Sequence, residues 1–138
     1  PTDQAENDTI ALPQNSPEDI LSFTCQQIFN GHIENALGYL FEDEFFTIIS
    51  SRPDTINSLN KQTLATGNKL GGFKKLHIRK TSGKNDTLYV FSNIEFNNTT
   101  LYNVPSKLIR RKGSWSVVLL KDYAPLTIDV NHLKVKTR

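Results

Sequence analysis

The sequence contains no methionine and a single cysteine, Cys25. A lone thiol excludes an internal disulfide and leaves the redox compartment open, because many exported domains also lack disulfides. No run approaches the roughly 18–20 consecutive apolar residues that span a bilayer as a helix. Charge of one sign is scarce as well. The 16 Lys and Arg against 14 Asp and Glu leave +2, too small an excess to argue for nucleic acid by itself. The three histidines, His32, His77 and His132, lie far apart and none is paired at helical spacing, so neither a metal site nor a cofactor is expected. The one glycine pair before a strand, Gly71-Gly72, stands in the wrong order for a phosphate loop, and no nucleophile elbow occurs.

What remains is a 138-residue chain, 37% hydrophobic and 22% charged, the size and composition of one globular domain with a real core. Residues 1–15 are polar and aperiodic and read as a flexible leader or linker. Ser16-Pro17-Glu18-Asp19 then reads as a helix start: a serine N-cap, proline at the first helical position and two acids in the first turn. Ile20, Leu21, Cys25 and Ile28 continue at helical spacing, and Asn30-Gly31 ends the helix. A second helix is predicted over 33–41, with Ile33, Ala36, Leu37 and Leu40 on one face. The acidic Glu42-Asp43-Glu44 follows, and the short run FFTIIS after it is read as a strand or turn. Arg52-Pro53-Asp54 opens a third helix through Ile56, Leu59 and Leu64, stopped by Gly71-Gly72.

Beyond residue 72 the period changes to two. Residues 73–80 place Leu76 and Ile78 on one face and Lys75, His77 and Arg79 on the other; 82–86 are read as a turn. In strand 87–96, Leu88, Val90, Ile94 and Phe96 share one face, and Tyr89, Phe91, Asn93 and Glu95 the other. Asn97-Asn98 turns into 100–110, where Pro105 implies an edge or a bulge. After Arg111-Lys112-Gly113 comes the last strand of the meander, 114–121, with Trp115, Val117 and Leu119 expected to face inward against the first helix. The fold class is therefore α+β, with N-terminal helices packed on a strongly curved antiparallel sheet. The domain is expected over 16–121, with 122–138 as a C-terminal extension offering one added strand (LTIDV, LKV).

Few side chains point to chemistry. Cys25 sits on the apolar side of its helix, where a buried inert thiol is the simplest reading. His32 follows a helix-ending glycine, and Glu42, Asp43 and Glu44 read as a solvated helix end. Lys74, Lys75, Arg79, Lys80, Arg110, Arg111 and Lys112 could form a patch for an anionic partner at one end of the sheet, or serve only to keep strand edges from aggregating. The more specific set is Tyr89, Phe91, Asn93, Glu95 and Tyr102. Aromatics mixed with polar groups on a strand face suit either a small-molecule pocket or a dimerisation surface, and the residues alone leave both open.

Ser16-Pro17-Glu18, the Asn30-Gly31 break, Ala36-Leu37-Gly38-Tyr39-Leu40 and Gly113-Ser114-Trp115 with the alternating apolar residues after it resemble the nuclear transport factor 2-like (NTF2-like) superfamily. This is the cystatin-like, cone-shaped α+β roll, and the nearest branch is the bacterial lumazine-binding-like one of unknown function. The resemblance covers about residues 16–121, and its motifs are structural. His32 departs from the acid usual after the helix-1 glycine, and Thr24 stands where an aromatic is expected. The resemblance implies a binding or scaffolding domain, with no catalysis, that uses its cone pocket or outer sheet face for a ligand, a protein partner or a second copy. Ketosteroid isomerase and the polyketide cyclases, in the same superfamily, imply the alternative of a small enzyme with Glu95 or Asp122 as base beside Tyr89 or Tyr102. A periplasmic component of type IV secretion systems implies another. The missing start methionine, the linker-like first residues and the habits of the resembling branch together lead to an expected bacterial cell-envelope location, exported or anchored.

Overall fold

The computed structural model describes residues 10–119 and 136–137. Helix α1 spans Pro17–Phe29, and its start is built as the residues dictate. Ser16 is extended and its hydroxyl accepts from the Asp19 N–H at 3.2 Å, while Gly31, at φ 79°, carries the chain out of the helix. The second helical segment, Ile33–Tyr39, is a 3-10 helix, where α-helix was expected through residue 41. Ile33, Ala36 and Tyr39 recur every third residue and so stack on one line of the tighter coil. Ile33 and Ala36 are buried, and Tyr39 meets Phe23 of α1 edge-on at 5.4 Å.

The FFTIIS run is not a strand or turn. It lies in helix α2, Glu44–Ser50, because Asp43 caps it: the side-chain Oδ1 accepts from the Phe46 N–H at 2.9 Å. Asp43, read as part of a solvated acidic end, is thus the residue that decides the local structure. Helix α3, Pro53–Lys69, follows, and Gly71 and Gly72, both at positive φ, turn it into the sheet.

Four strands, β1 (Phe73–Lys84), β2 (Thr87–Phe96), β3 (Thr99–Arg111) and β4 (Ser114–Val117), form an antiparallel meander in that order, and β5 (Lys136–Thr137) pairs with β3 at Thr99 and Thr100. β1 continues to Lys84, so the turn expected over 82–86 shrinks to Asn85-Asp86, with Asn85 at φ 61°. Register shifts fall between Phe73 and Lys75, Ile78 and Lys80, and Ser92 and Ile94. Such bulges bend strands and raise their twist, which curves the sheet around α1. Pro105 lies two residues from the bulge at Asn103, and among the described residues no strand pairs with the outer edge of β3 from Leu101 to Ser106.

The core lies in the concavity. Ile20, Leu21, Cys25 and Ile28 of α1 belong to one cluster with Leu76, Val90, Ile94, Leu101, Leu108, Val117 and Leu119 of the sheet and the segment after it. Val117 and Leu119 are buried as expected, whereas Trp115 is half-buried at the cluster's margin with the Arg110 guanidinium 5.2 Å from its ring. Two hydroxyls are enclosed without a hydrogen-bond partner, Thr24 Oγ1 on α1 and Ser106 Oγ on β3. An enclosed, unsatisfied hydroxyl costs about 1–3 kcal/mol. The near-isosteric Thr24→Val should therefore stabilise the domain by about 1 kcal/mol. A thermal melt showing a lower midpoint for the variant would mean that this hydroxyl makes a stabilising hydrogen bond in the folded protein.

Candidate functional site

Alternation along β2 divides its side chains between two environments. Val90, Ser92, Ile94 and Phe96 are buried on the concave side, and Tyr89 and Phe91 are each 38% exposed on the outer face. The five residues singled out from the sequence all belong to that outer face or its rim, not to the interior of the cone. Opposed residues of antiparallel strands share a face, so the register adds their neighbours. Phe91 stands between Lys80 and Pro105, Tyr89 between Ser82 and Lys107, and Glu95 between Lys75 and Thr100. Tyr102 reaches the same face through the bulge: Tyr102 and Asn103 both fall opposite Asn93, Asn103 takes a left-handed conformation at φ 55°, and Tyr102 is 55% exposed.

The roles within the set differ. Asn93 is structural, because its Oδ1 accepts from the Asn103 N–H at 3.2 Å and so braces the bulge that presents Tyr102. Glu95 faces Lys75, with Nζ 3.9 Å away, an exposed pair of small energetic weight. The Lys107 ammonium lies 5.6 Å from the Tyr89 ring centroid, and the two residues border a surface groove beside the β1–β2 turn. Asp122 and His132 lie outside the described residues.

Other candidates resolve into packing. Cys25 is fully buried, and burial pushes its thiol far above the usual range, the opposite of an activated nucleophile. His77 is exposed, its Nδ1 3.9 Å from Glu18 Oε2, and Glu18 Oε1 accepts from the Ile78 N–H at 2.9 Å at the open edge of β1. The basic residues do not form one patch at one end of the sheet. Lys74 and Lys75 lie at the level of Thr100 on β3, and Arg110 lies ten residues further along that strand. At about 3.3 Å per residue that is roughly 33 Å. Arg110 is also committed, to Asp86 at 3.2 Å, and Arg111 lies 4.4 Å from the Phe41 ring centroid. Among the described residues no group of three or more His, Cys, Asp or Glu side chains could hold a metal ion.

A polar network ties the α1 exit to α3. The Asn60 side chain donates to Glu34 Oε1 at 2.8 Å and accepts from the Ile33 N–H at 2.9 Å, and His32 Nδ1 lies 3.2 Å from Glu34 Oε2. Partial burial raises the Glu34 pKa, but the Asn60 amide, its own backbone and His32 outweigh it, leaving the carboxyl below its usual 4.5. A depressed folded-state pKa stabilises the fold above the unfolded value, and that contribution disappears as pH falls through the folded value. The wild type should therefore lose melting temperature below about pH 4.5 more steeply than Glu34→Gln. Parallel pH profiles for the two proteins would mean that the ionised Glu34 adds nothing.

No protein-family model and no curated protein matches the sequence. Among solved structures, the chain is similar to a Campylobacter jejuni protein provisionally described as an NTF2-like transpeptidase. The likeness has a TM-score of 0.59 and 19% identity, over 76% of this chain and 99% of that one. At this identity the likeness bears on architecture alone, and it agrees with the helices and curved antiparallel sheet described above. The chain has the NTF2-like α+β fold. The likeness does not confirm the lumazine-binding-like branch that the sequence resembles.

Proposed function

We propose that this domain binds or scaffolds and does not catalyse, and that the outer face of its sheet holds a protein partner in the bacterial cell envelope. The observation that carries the reading is the exposure of Phe91 and Tyr102, 38% and 55%, on adjacent strands of one sheet face. Single exposed apolar residues are ordinary, but aromatics gathered with Pro105 and Tyr89 on a rigid platform have the composition of an interface core. The concave side offers less: its β2 and β3 residues Val90, Ser92, Ile94, Leu101, Ser106 and Leu108 are all buried. Glu95, the described carboxylate considered as a base, is on the outer face beside Lys75, without the enclosed partner that general acid–base chemistry uses. The transpeptidase description belongs to the Campylobacter protein and is not carried over, since a likeness at 19% identity bears on architecture alone.

The test is site-specific photo-cross-linking in the cells that make the protein. A benzoylphenylalanine at position 91 or 102 should give a discrete adduct, and one at the exposed Leu64 of α3 should not. Equal labelling from all three positions, or none from 91 and 102, would sink the sheet face as a binding surface.

A further inference from the structure

The chemistry of the face narrows what it can hold. Register places Lys75, Lys80 and Lys107 around Phe91, Tyr102 and Pro105, with Glu95 the one acid among these residues. Lysines border the rings from both sides: Lys80 flanks Phe91 from β1, and Lys107 flanks Tyr89 from β3. Lys80 and Phe91 are eleven residues apart in sequence and meet through the β1–β2 pairing.

Resting on the sheet-face reading, we infer that the partner is an acidic segment of another protein, with carboxylates flanking an apolar or aromatic anchor, and not a second copy of this chain. A two-fold dimer presents the same patch from both sides. A patch with three lysines and one glutamate would face an identical patch, and burying that net like charge opposes association. An acidic segment instead brings carboxylates to Lys80 and Lys107 while its apolar side chain covers Phe91 and Pro105. Single-stranded nucleic acid shares the attraction to lysine and aromatic rings but fits the rest less well. Asn93's side-chain oxygen is already spent on the Asn103 N–H, and Pro105 beside Phe91 is aliphatic, with nothing to read a base edge and no ring for a base to stack on.

The experiment measures fluorescence anisotropy of the full chain with three labelled probes: a peptide of repeated Glu-Phe-Glu-Gly, the same peptide with Lys for Glu, and an oligothymidylate. The acidic peptide should bind, weaken with salt, and weaken about tenfold or more in Lys80→Glu/Lys107→Glu. Phe91→Ala/Tyr102→Ala should reduce it similarly, and the basic peptide should not bind the wild type. All four positions are partly or fully exposed, so unchanged melting temperatures serve as the folding control. No binding of the acidic peptide, binding indifferent to the lysine reversals, or tighter binding of oligothymidylate would overturn the inference. So would a dimer in sedimentation that Phe91→Ala dissolves. Cross-linking from positions 91 and 102 that survives Lys80→Glu/Lys107→Glu would reject the acidic partner and leave the sheet-face reading standing. Its absence in the wild type would reject both.

Discussion

Ile28→Ala should cost about 3–4 kcal/mol, within the usual range for truncating a buried isoleucine. Ile28 has no exposed surface, and it belongs to the cluster that joins α1 to the concave side of the sheet. Removing three carbons there forfeits transfer energy and leaves a void that the neighbours cannot fill, because α1 is held at both ends. Its start is fixed by the Ser16 cap and by Glu18 on the β1 edge, and the exit is fixed by Gly31 and the Asn60 network. Against a typical total of about 5–15 kcal/mol, that loss would leave a measurable unfolded fraction well below the wild-type melting point. Urea unfolding followed by far-ultraviolet circular dichroism measures it. A loss under about 1 kcal/mol would mean that α1 can shift to close the void and that the cone is less rigid than its packing implies.

Gly67→Val is the second large effect, and here two principles pull in opposite directions. Glycine inside an exposed helix is worth about 1 kcal/mol less than alanine, so propensity alone makes Gly67 a weak point of α3. The packing says otherwise. A Cβ on Gly67 would come within 2.6 Å of the Phe29 carbonyl oxygen and 3.2 Å of Phe29 Cβ, at the last residue of α1. Phe29 cannot give way freely, because its ring lies edge-on to Phe96 at 5.2 Å, and Phe96 in turn meets Phe73 at 6.1 Å. Overpacking of this kind costs about 1–3 kcal/mol, more for a branched side chain against backbone, so a net loss of about 2–3 kcal/mol is expected for valine. Alanine should lose about 1 kcal/mol even after its propensity gain is counted. A stabilised Gly67→Ala protein would show that α1 and α3 approach less closely than these distances require.

How much of the candidate site was legible depends on how each residue reaches it. Tyr89 and Phe91 share a face by simple alternation, and the sequence is sufficient for that. Lys80 was recoverable in principle. A two-residue Asn85-Asp86 turn pairs Lys84 with Thr87 and carries Lys80 to Phe91, whereas a turn over 82–86 shifts the register and loses the pair. Lys107 was not recoverable, because its place beside Tyr89 depends on the extra residue accommodated at Asn103. Asn93 reads in sequence as a polar residue of a binding face, yet its side-chain oxygen accepts from a backbone N–H within the sheet. A polar side chain next to a bulge looks the same in sequence whether it meets a ligand or a backbone N–H.

The sequence by itself determined α1 with its serine cap and glycine exit, the change of period after residue 72, the strand meander and the division of β2 into two faces. These are local matters, settled by capping groups, backbone preferences at glycine and proline, and hydrophobic period. The Asp43 cap is local too, although the ambiguous apolar run after it hides the helix it starts; tertiary structure alone decided that the basic residues lie at separate ends of the sheet. It also decided which face of β2 is covered. Both faces carry large apolar side chains, so composition is nearly degenerate between them. Only the curvature set by three bulges, with α1 filling the concave side, buries Val90 and Ile94 and leaves Phe91 and Tyr102 in water.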